Sequence, residues 1–247
     1  MPPSMRRSQR PRTIRYETAE AFPVRALVQR EIKSQPPKPA VAETAERSWF
    51  LDPYLAFTAL CGIGVATLQL GHPLRLTVLW LVLLGLVLLY AQSGRLKADY
   101  SMLNLVRGAL VGAVVALPFY ILASNFCYAT ASRLYGVQDL QVLLERAVFL
   151  VPILEEGFFR GVVQREKGLQ CAAVTFGLAQ VLYFLPLAAS FPLVVGAVAV
   201  GMALLGLLYG YLFRRYGLTA SIAGHVMVNF VLLVLPPLAE RIGVLFV

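Results

Sequence analysis

Residues 142–163 read Val142-Leu-Leu-Glu145-Arg146-Ala-Val-Phe-Leu-Val-Pro152-Ile-Leu-Glu155-Glu156-Gly-Phe-Phe-Arg160-Gly-Val-Val163. A hydropathy window scores this run low because five charged residues interrupt it. Its length is nonetheless that of a membrane-spanning helix, roughly 17 to 25 residues. Read as a span, it carries an acidic pair and an arginine into a layer where a charge costs at least ~2.5 to 3.5 kcal/mol, so the cluster is a candidate functional site. On a helix Glu156 and Arg160 are i,i+4 with the acid on the N-terminal side, the favourable order for a pair, while Glu155 points roughly 100° away. Arg160 can therefore neutralise one carboxylate and leave Glu155 free as a candidate general base.

The flanking sequence supports the same environment. Of 247 residues, 58% are hydrophobic and 14% charged, with mean hydropathy +0.70, above the roughly 45 to 50% apolar content of a soluble domain. Further spans read at about Trp49 to Leu70, Leu74 to Gln92, Gly108 to Cys127, Cys171 to Ala189, Pro192 to Phe213 and Leu218 to Leu235. The expected fold is all-α, a polytopic transmembrane bundle of seven spans. The stretch Arg95 to Val106, with Leu96, Tyr100 and Leu103 at helical spacing, is expected at the interface before the third span.

Residues 1–48 differ in kind, with ten Lys/Arg, five Glu, many prolines and no apolar period. They read as a disordered basic arm. Neither a secretory signal nor a transit peptide fits it, so Trp49 onward reads as a retained signal-anchor. The domain division is thus 1–48 and 49–247, with the site core at 142–229. Net charge +9 is explained by anionic lipid beside the arm; no nucleic-acid motif is present.

With the N-terminus in the cytoplasm, seventeen Lys/Arg fall on the cytoplasmic side and three, Arg75, Arg133 and Arg241, on the other. The positive-inside rule therefore predicts a cytoplasmic N-terminus in a cell (inner) membrane. Cys61, Cys127 and Cys171 lie in or at the ends of different spans, without CxxC spacing, and suggest neither disulfide nor metal.

Three polar clusters share one depth. His225 and Asn229 stand i,i+4 on the last span, His225 lying eight residues from the Arg214-Arg215-Tyr216-Gly217 turn, or ~12 Å at 1.5 Å per residue. Glu155 and Glu156 lie eight or nine residues from Gln164, and Gln180 nine from Cys171. The coincidence points to one shared site in the cytoplasmic leaflet. Taken singly, His225 with Asn229, or Gln180, could be interhelical glue. Gly108/Gly112 and Gly206/Gly210 read as close helix packing. Pro152 should kink its helix and free a carbonyl near the site. With His72 as the one other histidine and no HExxH, a three-histidine zinc site is excluded. A Glu155/Glu156/His225 metal site is weak, no cofactor is implied, and no GxSxG or Cys/His setting suggests a nucleophile.

At these residues the sequence resembles the CPBP family of intramembrane CAAX proteases and bacteriocin-processing (Abi) proteins. The family pattern is EExxxR, FxxxH, then HxxxN or HxxxD on successive helices. The first stands as Glu155-Glu156-Gly157-Phe158-Phe159-Arg160 and the third as His225-Val226-Met227-Val228-Asn229, preceded by a similar lead-in, Leu208 to Gly217. The second departs: Phe176-Gly177-Leu178-Ala179-Gln180 has glutamine for histidine. The resemblance implies a glutamate-dependent intramembrane endopeptidase. Glu155 would activate water, Glu156 and Arg160 would support it, and His225 and Asn229 would stabilise the oxyanion. Gln180 could hold a water but take up no proton. The substrate would be a membrane-associated protein or peptide approaching near the cytoplasmic leaflet. A catalytically silent homologue, binding a membrane protein as an immunity or assembly partner, is the other reading. A transporter is disfavoured because no inverted repeat is present.

Overall fold

The structure, a computed structural model, describes residues 51–97, 99–136 and 139–243. The basic arm and the signal-anchor start at Trp49 lie outside the described residues. All regular structure among those residues is helical. The elements are α1 (Pro53–Ala66), α2 (His72–Gln92), α3 (Met102–Leu134), α4 (140–167), α5 (Leu169–Leu187), α6 (Pro192–Tyr216) and α7 (Leu218–Arg241). Five of them, α2, α3, α5, α6 and α7, are long and apolar enough to cross a membrane. The chain is an integral membrane helix bundle.

Two elements differ from the other five. The span expected from Trp49 to Leu70 is a helix of only 14 residues. Its start is fixed because Asp52 accepts from the Tyr54 N–H and Pro53 opens the first turn; at its end the Thr67 hydroxyl turns back onto the Ile63 carbonyl. The stretch Leu140 to Lys167 is helical throughout but alternates between α and π, with π segments at Glu145–Leu150 and Phe159–Gln164. At 1.5 Å per residue it is about 40 Å long, and its charges keep it out of any hydropathy-based list. Residues 95–97 and 99–101 are not helical, and Leu96 lies against Gly161.

Glycine seams set which helices touch. A Cβ on Gly108 would run into the Ala220 backbone, and one on Gly112 into Gly224, so α3 lies directly on α7. Gly206 meets Ala173, and Gly177 meets Ala199 and Ala203, joining α5 to α6. Without a hydrophobic driving force in lipid, such close approach is what holds helices together. Gly112→Val is therefore expected to cost ~1–3 kcal/mol or more by overpacking. The check is thermal unfolding in detergent beside Gly62→Ala, whose added Cβ meets nothing within 4 Å. Equal melting temperatures for the two variants would remove the seam.

Single glycines with left-handed φ, Gly168 at +90° and Gly217 at +87°, reverse the chain between α4 and α5 and between α6 and α7. These turns lie at one end of the bundle with Arg95, Lys97, Arg107, Arg165, Lys167, Arg214 and Arg215, called here the basic end. Arg95 bonds the Leu51 carbonyl at 2.6 Å and Glu166 at 3.3 Å; Arg165 bonds the Lys97 carbonyl at 2.6 Å. Lys167, 2.9 Å from Asp52, holds that exposed carboxyl below the usual carboxylate range, with help from the Tyr54 N–H.

At the far end Arg75 is fully buried. Its Nη2 donates to the Gly64 and Leu182 carbonyls. The Leu182 carbonyl has no donor four residues on because that residue is Pro186. A cation from α2 thus completes a break in α5.

Candidate active site

The polar residues of α4, α5 and α7 converge beneath a continuous aromatic layer. Glu155, Glu156, Arg160, Gln180 and His225 are all buried. Glu156 forms an ion pair with Arg160 Nε at 3.2 Å through Oε2, which also accepts from the Ser221 hydroxyl; its Oε1 lies 3.0 Å from His225 Nδ1. Arg160 also donates from Nη2 to the Gly206 carbonyl at 3.1 Å, and its guanidinium sits 4.4 Å from the Phe176 ring centroid. One turn on, Gln164 donates to the Gly210 carbonyl at 2.8 Å. The i,i+4 pair Arg160/Gln164 therefore grips an i,i+4 pair of carbonyls on α6.

Glu155 has a divided environment. Its Oε1 accepts from Gln180 Nε2 and from the Tyr183 hydroxyl, each at 2.9 Å. Its Oε2 is buried without a hydrogen-bond partner and lies 3.8 Å from His225 Nε2. The His225 ring stacks on Tyr209 at 4.6 Å between centroids and meets the edge of Phe176 at 5.8 Å. These contacts leave the imidazole little rotational freedom.

Asn229, one turn beyond His225, donates to the Ala147 carbonyl at 2.8 Å. Local backbone chemistry explains why that carbonyl is free. In the π segment the Val151 N–H bonds Arg146 rather than Ala147, and the next residue, Pro152, has no N–H. The carbonyl freed by Pro152 is thus met by a side chain of α7.

A cavity of about 480 Å³ opens from Glu155, Gln180, His225 and Asn229. The remainder of its wall is almost wholly apolar, from α3, α6 and the second half of α7, with Tyr183, Tyr135 and Thr130 as further polar members. It extends away from the basic end. On the basic side of Glu155 the layer is closed by Phe158, Phe159, Phe176 and Tyr209, each fully buried. A packed aromatic wall thus separates the carboxylates from the basic end.

Both Glu156 oxygens are engaged within the cluster, so Glu155, Glu156 and His225 do not offer three free donors to one metal ion. Among the described residues no group of three or more His, Cys, Asp or Glu side chains is arranged to hold one. Tyr183, Ser221 and Tyr209 were not singled out from sequence. Two had a signal: Tyr183 is i+3 from Gln180, and Ser221 is i−4 from His225, so each shares a face with a singled-out residue.

Residues 138–231 match the family model described as type II CAAX prenyl endopeptidase Rce1-like. The match covers well under half of the chain and includes Glu155, Glu156, Arg160, Gln180, His225 and Asn229. It agrees with the resemblance to intramembrane CAAX proteases. No curated protein and no solved structure matches the chain.

Proposed function

From the Rce1-like endopeptidase pattern of residues 138–231, we propose that the chain is an intramembrane endopeptidase in which Glu155 activates water against a peptide bond of a membrane-associated protein. One observation carries the reading. Glu155 Oε2 is a buried carboxylate oxygen with no hydrogen-bond partner, facing His225 Nε2 at the floor of an apolar cavity. A carboxylate oxygen left unpartnered beside a cavity has its lone pairs open to a water or a substrate group.

Charge balance assigns the protons. Glu156, accepting from Ser221 and paired with Arg160, is the anionic partner, so His225 Nδ1 carries a hydrogen toward it. A neutral buried cluster then requires one proton between Glu155 Oε2 and His225 Nε2, because uncompensated charge is costly in a dry setting. With that proton on Nε2, a water beside Oε2 adds its oxygen to the substrate carbonyl carbon and gives a proton to Glu155. The imidazolium Nε2–H donates to the developing oxyanion, and the free Asn229 amide hydrogen adds a second donor. Collapse of the intermediate breaks the C–N bond, and the proton held by Glu155 passes to the leaving amine. Gln180 and Tyr183 serve as positioning residues that fix Oε1 and aim Oε2.

This geometry gives Gln180 a role that histidine would not improve. Gln180→His is expected to change the cleavage rate by less than ~3-fold, against the 10² to 10⁴-fold typical of an added acid-base group. A gain of the larger size would instead support a chain that has lost catalysis and retains binding to a membrane-protein partner. The assay is mass spectrometry of fragments from co-expressed membrane proteins, comparing the intact chain with each variant.

A further inference from the structure

The cavity has a direction. Its α3 wall runs from Val115 to Leu134, the half of that helix remote from the basic end, and its α6 wall from Val194 to Leu205, again the remote half. On α7 it begins at His225 and continues to Leu233; on α4 no lining residue lies beyond Glu155 toward the basic end. The reacting carboxylate is therefore the floor of a shaft that rises away from the basic loops.

The shaft also opens sideways. Phe119 and Phe126 on α3 and Val194 on α6 line it while remaining 60%, 58% and 49% exposed. The rim between α3 and α6 is thus open to lipid, and α3 is broken there by a non-helical Ala123.

Charge fixes which face this is. Among the described residues the basic end carries seven Lys/Arg, against Arg75, Arg133 and Arg241 at the other end and Arg146 in the first half of α4. Arg75 is buried on the Gly64 and Leu182 carbonyls and so adds no charge to that surface. The asymmetry, without counting the N-terminal arm, puts the basic end in the cytoplasm.

Resting on the endopeptidase reading, we propose that Glu155 is served from the non-cytoplasmic half of the membrane. Its substrate is a segment of a membrane protein at the non-cytoplasmic end of a span, entering extended between α3 and α6. The wall chemistry suits such a segment: apolar side chains line most of the shaft, and the polar groups that a scissile peptide needs are gathered at its floor. Extended backbone is tolerated at membrane depth only inside such a protein-lined space. Charged side chains near the cut site are disfavoured by the same wall.

Cys127 lines the shaft and provides a native probe. The full chain with Cys61→Ser and Cys171→Ser would be treated with a charged, membrane-impermeant methanethiosulfonate in right-side-out and inverted vesicles. Added Lys97→Cys and Ser190→Cys, both at exposed loop positions, mark the two faces in separate samples. Thiol reactivity follows access, so Cys127 should react at least ~10-fold faster from the face that labels Ser190→Cys. Thr130→Cys with Cys127→Ala repeats the measurement at a second wall position. Modification from the Lys97 face, from both faces alike, or from neither overturns the proposal. Labelling does not depend on turnover, so the two readings fail separately. Cys127 labelled from the Ser190 face beside unchanged fragments in Glu155→Gln would sink the protease and spare the route.

Discussion

Glu155→Gln is expected to reduce fragment release from membrane-protein substrates by about 10³-fold, within the range general acid-base groups contribute. The variant keeps the volume of the side chain, and its carbonyl oxygen can still accept from Gln180 and Tyr183. What it loses is the unpartnered carboxylate oxygen Oε2, replaced by an amide that faces His225 Nε2. The bundle should fold as before, so unfolding temperature serves as the control. Identical fragment patterns from the two proteins would leave the cluster without a catalytic role.

The largest stability effect is expected at Arg160. Arg160→Met removes the cation from a fully buried Glu156 and breaks the bond to the Gly206 carbonyl. Truncating one partner of a buried pair typically costs 3–5 kcal/mol, roughly, because the remaining charge is stranded. That is a large fraction of the roughly 5–15 kcal/mol by which proteins are stable. Arg160→Lys should recover little, since a point charge cannot serve Glu156 and an α6 carbonyl with the planar fork. Pairing Arg160→Met with Glu156→Gln should return a good part of the loss, because the stranded anion is then gone. Thermal unfolding of the four proteins completes the cycle, and strictly additive losses would show that the two side chains do not depend on one another.

The seven helical segments are visible in the sequence because apolar length is a local property. The fourth is visible only when its charges are taken as meaningful rather than disqualifying. The first is misjudged in extent because Asp52-Pro53, a start signal, stands inside the apolar run. The convergence of Glu155, Gln180 and His225 follows from counting depth along helices. Tyr183 and Ser221 were there to be found by the same helical arithmetic, yet tyrosine and serine are ordinary enough in membrane helices to attract no attention. The π register at Phe159–Gln164 has no local signal at all. It goes with Arg160 and Gln164 each reaching a carbonyl of α6, 46 residues away in the chain. The direction of the cavity is likewise illegible in one dimension, since it depends on α3 resting on α7 and α6 on α5, with neither filling the space between.

Proline breaks in two helices are each closed by a side chain of another, Arg75 for α5 and Asn229 for α4. Their timing differs during synthesis. When α5 emerges, α2 has already been made and its cation is at hand. When α4 emerges, the amide that will meet the Ala147 carbonyl is still unsynthesised, some eighty residues downstream. Until the last helix arrives, α4 holds an unmet carbonyl and unclaimed charges that lipid cannot satisfy. The hydrogen bonding of α4 is therefore completed only when α7 arrives, and a chain cut short before α7 would leave the Ala147 carbonyl unmet.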